Sequence, residues 1–283
     1  MSIKNIKVVV TGASGQLGQA LKTLSNDYDT IDFVFASRSD LDITNKETLQ
    51  EFVAIHQPDA IINTAAYTAV DKAESNKEAA FLVNETAVGY LAEVCKMSAI
   101  TLLHISTDYV FNGAATTPYK ETDITNPETV YGASKLAGER IIQEIAPEHF
   151  FIIRTSWLYS KNGHNFYNTM LRLANEGKDI SVVNDQWGTP TLASELATAL
   201  IEIVLRAKSS DSGIYHYSGN GVCTWYAFAK ALLEKYHSSN YTLKAVDSSQ
   251  YPTVAKRPRY SVLDKSLIKI TFGISPTDWE LLV

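Results

Sequence analysis

Cysteine is nearly absent from this 283-residue chain, which holds only Cys95 and Cys223. The two do not form a C-x-x-C pair, and two thiols cannot alone build a four-ligand structural zinc site. Both lie in apolar stretches, where a free thiol usually packs as a small hydrophobe. Such cysteine poverty fits a reducing compartment. A basic excess is also missing: 25 Lys+Arg face 31 Asp+Glu, for a net charge of −6. That argues against a broad nucleic-acid-binding face, while leaving room for a local basic pocket. No run of about 18 uncharged apolar residues occurs, so no membrane span is expected. The opening M-S-I-K-N-I-K-V-V-V-T-G enters a strand pattern at once and lacks the apolar core of a signal peptide. A cytoplasmic setting is expected. Internal repeats and low-complexity linkers are lacking as well.

What remains reads as globular. The chain is 45% hydrophobic and 20% charged, which leaves no room for disorder, collagen or coiled coil. At ~150 residues per domain the length suits two domains, or one large α/β unit with a smaller lobe. Short apolar runs recur at Ile6–Val10, Ile31–Ala36, Ala60–Ile62, Thr101–Ile105 and Phe150–Ile153. Runs apolar at successive positions suit strands covered on both faces. Helical patterns separate them: Gln16–Ser25, Lys46–His56, Asp71–Met97 and Ser134–Ile145. This alternation predicts a Rossmann-type doubly wound parallel sheet. After Thr155 the rhythm changes. Helices are expected at Asn165–Asn175, Leu192–Arg206 and Trp225–Tyr236, with short strands near Ile180–Val183 and Ile214–Tyr217. The expected organisation is a dinucleotide-binding domain over residues 1–155 and a smaller C-terminal α/β substrate lobe over 156–283. The boundary is soft, and the chain can cross it more than once.

Val8 to Gly18 reads V-V-V-T-G-A-S-G-Q-L-G, at the junction of the first strand and the first helix. Gly12 suits a tight turn, Gly15 a close approach to a pyrophosphate, and Gly18 close helix–strand packing. With Gln16 and Leu17 they place a helix N-terminus, with its unpaired N–H groups, against an anion. The G-x-x-G-x-x-G spacing resembles the extended short-chain dehydrogenase/reductase superfamily. At the end of the second strand stand Ser37 and Arg38, where an NAD-preferring site places an acid. A hydroxyl and a guanidinium suit a 2′-phosphate, so NADPH is favoured and NADH stays open. By the same resemblance Asp42 and Ile43 face the adenine. Ala65 and Ala66 are small enough for a dinucleotide to lie across the strand ends.

Tyr131 and Lys135 in V-Y-G-A-S-K are four apart, so a helix puts them on one face. A nearby ammonium favours the phenolate, lowers the phenol's pKa and makes it a better proton donor to an alkoxide. The ammonium can also reach the cofactor ribose. Thr107 closes the fourth strand, at the end where α/β sheets bind ligands, and its hydroxyl suits a substrate oxygen. Tyr131, Lys135 and Thr107 are the candidate catalytic set.

Further segments narrow the resemblance: S-T-D-Y-V-F-N-G, Y-G-A-S-K-L-A-G-E, R-T-S-W-L-Y, N-D-Q-W-G-T-P-T and K-R-P-R-Y-S-V-L-D. They resemble the dTDP-4-dehydrorhamnose reductase family and spread from Val8 to Asp264. The resemblance implies reduction of the 4-keto group of dTDP-4-dehydrorhamnose to dTDP-L-rhamnose. It implies Tyr131 as proton donor, Lys135 as its electrostatic helper, and Thr107 and Asp108 at the sugar. Trp157 would lie against sugar or nucleotide. Arg257 is a candidate for the substrate diphosphate, against the alternative of a merely solvated charge. Related 4,6-dehydratases carry Asp-Glu after the Thr; here the pair is Asp108-Tyr109, without the second acid. Two alternatives stay open: another nucleotide-sugar 4-ketoreductase, and an NADP-binding regulatory subunit like the β subunit of methionine adenosyltransferase. Some family members dimerise through Mg2+ held by clustered glutamates. No acidic cluster with ligand spacing is found here, so no metal residue is assigned, and Mg2+ and a homodimer stay open.

Overall fold

Val8, Val9 and Val10 are all buried, and they point alternately to the two faces of one sheet. The computed structural model describes residues 5–236 and 241–283; the first four residues of the opening run lie outside them. The first half runs β1 (Ile6–Thr11), α1 (Gln16–Leu24), β2 (Ile31–Ala36), α2 (Lys46–His56) and β3 (Ala60–Asn63). Three short helical pieces follow, α3 (Val70–Ser75), α4 (Lys77–Phe81) and α5 (Ala87–Met97), with a π-turn over Leu82–Thr86. Then come β4 (Thr101–Thr107), α6 (Val130–Ile145) and β5 (Phe150–Thr155).

The remainder is β6 (Leu158–Tyr159), α7 (Phe166–Asn175), β7 (Asp179–Val183), β8 (Trp187–Gly188), β9 (Thr191–Leu192) and α8 (Ala193–Arg206). After it stand β10 (Gly213–His216), β11 (Cys223–Thr224), α9 (Trp225–Lys235), β12 (Thr242–Val246), α10 (Ser266–Phe272) and α11 (Trp279–Leu282).

Six strands form one parallel sheet in the order β10-β5-β4-β3-β1-β2. The order reverses beside β1, the switch point where such sheets leave a crevice at the strands' carboxyl ends. Val8, Val10 and Ile62 pack on one face with Leu21 of α1 and Leu200 of α8. Val9 and Ile61 pack on the other with Leu49 of α2 and Leu91 of α5. A third cluster, including Tyr159, Met170, Phe228 and Trp279, is the core of the C-terminal lobe. The chain returns to the sheet after residue 155, because β10 pairs with β5 and α8 packs on α1.

Helix starts follow local capping chemistry. Asn45, Thr129, Asn165 and Thr224 each accept a backbone N–H of the first turn. The Thr129 cap starts α6 at Val130, four residues before the Ser134 start the periodicity suggests. The single helix expected over Asp71–Met97 is interrupted. Asn84 sits in the π-turn, fully buried, and its amide bonds both the N–H and the carbonyl of Tyr67 and the Ser134 hydroxyl. Those bonds fix a register that an unbroken α-helix would not supply.

Candidate active site

The turn between β1 and α1 is shaped by what glycine lacks. Gly12 has φ of 67°, and a Cβ there would stand 2.6 Å from the Ala65 nitrogen. At Gly18 a Cβ would stand 2.6 Å from the Ala13 Cα, so α1 could not lie so close to β1. Gly15 is exposed and caps α1 without a side-chain bond, and the first turn carries no acid. Its first N–H groups and positive dipole end are therefore free for an anion. Beyond Gly15 a Cβ would meet only the Gly12 carbonyl, at 3.2 Å. The residues present thus fit the pyrophosphate of a dinucleotide.

Around this turn the predicted residues divide. The Leu17 side chain is buried in the core, as is that of Ile43. Gln16 turns towards the C-terminal lobe, where its Oε1 accepts from Ser160 Oγ at 3.1 Å and Asn165 Nδ2 at 2.7 Å. Ala65 and Ala66 are half-buried beside the turn. Ser37 donates its hydroxyl to Asp40, whose carboxylate also accepts the Ser37 N–H. Arg38 is 82% exposed, with its guanidinium 3.6 Å from Asp42. Asp42 accepts both the N–H and the hydroxyl of Thr44, which hold its carboxyl below the usual range with help from Arg38.

The second group gathers where β4 ends. Thr107 is the last residue of β4, and α6 brings Tyr131 and Lys135 to it. Gly132 permits this approach, because a Cβ there would collide with the Tyr109 carbonyl. The Tyr131 ring meets Tyr109 edge-on, with centroids 5.6 Å apart. Burial pushes the Tyr131 phenol up, against a hydrogen bond with Thr107 that lowers it. Lys135, expected to hold the phenol down, is not among the groups that shift it here. Lys135 turns elsewhere: its Nζ donates to the Ile105 carbonyl at 2.6 Å and lies 3.2 Å from His104 Nε2. Lys135 is only 2% exposed, and burial lowers its ammonium to about 8 against the pull of Glu139.

Asp108 is buried and accepts the Thr107 hydroxyl at 3.0 Å. Desolvation pushes its carboxyl up to about 6. The hydroxyls of Ser261 and Thr107 oppose that rise. Trp157 has φ of 49° and stacks on Trp225, with centroids 3.6 Å apart. It lies on Gly188, where a Cβ would be 2.5 Å from the indole. Arg257 pairs with Asp71 at 2.5 Å and donates to the Tyr109 hydroxyl at 3.1 Å. The structure thus brings Thr107, Asp108, Tyr131 and Lys135 together. It ties Arg257 to them through Tyr109, and it packs Trp157 into an aromatic stack of the lobe.

Several supporting residues escape a reading of the sequence. Glu139 and Arg154 form a buried bidentate pair, with Arg154 Nη2 to Glu139 Oε2 at 2.7 Å, and Ser106 adds a hydroxyl to the same carboxylate. His216, held neutral by burial with its pKa near about 3, lies 3.4 Å from the Arg154 guanidinium. Asn63 and His104, buried on the neighbouring strands β3 and β4, bond each other at 2.9 Å. The charged letters of G-E-R and I-R-T inside apolar context were the only signal for the ion pair. Nothing local announced the other two.

Among the described residues no three His, Cys, Asp or Glu side chains gather as a metal site, and no helix is long and apolar enough to cross a membrane. The family described as RmlD substrate binding domain matches residues 6–283. A dTDP-4-dehydrorhamnose reductase of Aggregatibacter actinomycetemcomitans is 41% identical, covering 97% of this chain and 96% of the relative. The spore coat polysaccharide biosynthesis protein SpsK of Bacillus subtilis is 39% identical over 97% of this chain and 94% of its own. Among solved structures, a Bacillus anthracis dTDP-4-dehydrorhamnose reductase in complex with NADP superposes with a TM-score of 0.93 at 36% identity, covering 98% and 96%. Likeness of this extent, on a fold that seats a glycine turn beside a Thr-Tyr-Lys cluster, places the chain in the dTDP-4-dehydrorhamnose reductase family.

Proposed function

We propose that the protein reduces the 4-keto group of dTDP-4-dehydrorhamnose with NADPH, yielding dTDP-L-rhamnose. The observation that carries this reading is the full-length identity of about 40% to reductases of that name, on a fold shared with one solved with NADP. NADPH, when bound, supplies the hydride to the keto carbon.

The chain's own residues do the rest. The N–H groups of the α1 N-terminus hold the pyrophosphate, and Arg38 meets the 2′-phosphate. Thr107 turns its one hydroxyl proton from Asp108 to the keto oxygen and orients it. Tyr131 delivers its phenolic proton to that oxygen as negative charge develops there. Burial keeps the phenol protonated at neutral pH, so a proton is ready to give. Asp108, buried beside Thr107, accepts a sugar hydroxyl. Arg257, half-buried and tethered by Asp71, is placed to meet the diphosphate only by sharing its guanidinium. The pair Asp108-Tyr109 lacks the second acid of a dehydratase, which suits net reduction without loss of water. Both thiols are free and buried, in keeping with a cytoplasmic setting.

The test is NADPH absorbance in the presence of dTDP-4-keto-6-deoxy-L-sugar, with other 4-keto sugar nucleotides and NADH in parallel. Ketone-dependent loss of NADPH is expected, fastest with the dTDP-L-sugar. No loss with any ketone, together with a co-purifying synthetase, would instead favour a regulatory subunit.

A further inference from the structure

Lys135 is held by a chain of buried polar groups that runs back to the first strand. Its Nζ lies 3.2 Å from His104 Nε2, and His104 Nδ1 lies 2.9 Å from the Asn63 amide nitrogen. The other amide atom of Asn63, its Oδ1, accepts the Thr11 hydroxyl at 2.6 Å and the Ala65 N–H at 3.2 Å. A backbone N–H can only donate, so the atom facing Ala65 must be the amide oxygen. The Asn63 NH2 therefore faces His104, and His104 Nδ1 must accept. Burial keeps this imidazole neutral, and the Lys135 charge acts in the same direction. A neutral ring that accepts at Nδ1 carries its one proton on Nε2, and that N–H points at the Lys135 nitrogen.

Two donors then confront each other whenever Lys135 is an ammonium. An amine has a lone pair and can accept the imidazole N–H; an ammonium cannot. We propose that Asn63 locks His104 as the Nε2–H tautomer and that this tautomer, acting on Lys135, sets the pH at which the catalytic amine changes charge. Asn63 and His104 are positioning residues. Neither touches substrate; both act through Lys135.

The neighbours do not undo this arrangement. On its own helix Lys135 has Tyr131 one turn before and Glu139 one turn after. Glu139, paired with Arg154 of β5, still pulls the Lys135 ammonium up, but by less than burial lowers it. Asp108 and Tyr109 follow β4, with Asp108 bonded to Thr107 and Tyr109 to Arg257. From β3 His104 meets the uncharged Asn63, which is held in turn by Thr11 of β1, and in the π-turn Asn84 is uncharged and bonded to Ser134.

The inference deepens the reductase reading and rests on it for its kinetic consequence, but not for its tautomer. Nitrogen-15 spectra of the histidine-labelled wild-type protein at neutral pH should show His104, assigned by its loss in His104→Gln, with a bare Nδ1 and a protonated Nε2. A protonated Nδ1 would overturn the proposal, whether or not the protein proves to be a reductase. In Asn63→Asp the new carboxylate accepts from Nδ1, the tautomer reverses, and Nε2 accepts from the ammonium. His104→Gln offers the ammonium an amide oxygen instead. Both variants should move the alkaline limb of kcat/KM upward by about one pH unit, a roughly tenfold change in proton affinity. An unmoved limb in variants that still fold and bind NADP+ would overturn it. If neither variant folds, the wild-type spectrum decides.

Discussion

At the β1–α1 turn the groove is made from main chain. Gly12, Gly15 and Gly18 contribute by having no side chain, and the anion meets N–H groups that any sequence would carry. At the end of β4 the groove is made from side chains: Thr107, Asp108 and Lys135 are buried, Thr107 and Asp108 bond each other, and Lys135 of α6 bonds the Ile105 carbonyl of β4. The contrast teaches how each end tolerates change. A backbone cradle fails when something is added. A buried side-chain cluster fails when something is taken away.

Removal at the reaction end should have the largest effect. Tyr131→Phe deletes one oxygen from the proposed proton donor, and kcat should fall about 10²–10⁴-fold, in line with loss of a general acid. NADPH affinity, read by fluorescence titration, should stay within about twofold of wild type, since the change leaves the cradle alone. A matching loss of affinity would collapse the distinction between the two ends. Addition at the other end should do the converse. Gly18→Val forces a side chain into the Ala13 backbone, and overpacking there should cost about 1–3 kcal/mol of stability and most NADPH binding. Urea unfolding with and without NADP+ would measure both.

Breaking the buried pair with Arg154→Met should cost about 3–5 kcal/mol, because Glu139 would be left as an unpaired buried charge. A wild-type midpoint in that variant would mean the network is not what holds α6 on β4.

Asp108 offers a test through pH. Its carboxyl titrates near 6 in the fold against 3.8 as an isolated group. Between those values the folded chain binds more protons than the unfolded one, so stability falls as pH rises through the window. Above it the accumulated loss is about 3 kcal/mol, and Asp108→Asn should recover it while activity drops. Unfolding midpoints at pH 4.5 and 7.5 that differ equally in both proteins would refute this. The smallest effect is expected on the exposed rim. Arg38→Ala should lower the preference for NADPH over NADH about tenfold and leave the unfolding midpoint within experimental scatter, as befits a solvent-screened charge.

The same contrast governs what could be read before the fold was known. Strands β1 and β2 are mostly apolar runs, interrupted by Lys7 and Asp32, α2 carries its own Asn45 cap, and the Gly spacing is local, so these elements were found nearly residue for residue. The break in the helix expected over Asp71–Met97 was not, because Asn84 takes its partners from Tyr67 and Ser134. Tyr131 and Lys135 were found from a four-residue spacing. Their environments were not: that Lys135 faces the Ile105 carbonyl and His104 depends on how α6 lands on β4, which no spacing encodes. The pairing of β10 with β5 was invisible for the same reason.

That pairing bears on how the molecule could have been assembled, or taken apart. A fragment ending at Thr155 would keep the glycine turn, Tyr131 and Lys135, yet bare one edge of β5 and strip Leu21 of its cover from Leu200. An uncovered strand edge beside exposed leucine is a template for sticking to other chains. The two parts of the chain are therefore not detachable modules here: β10 and α8, from beyond residue 155, are a structural wall for β5 and α1.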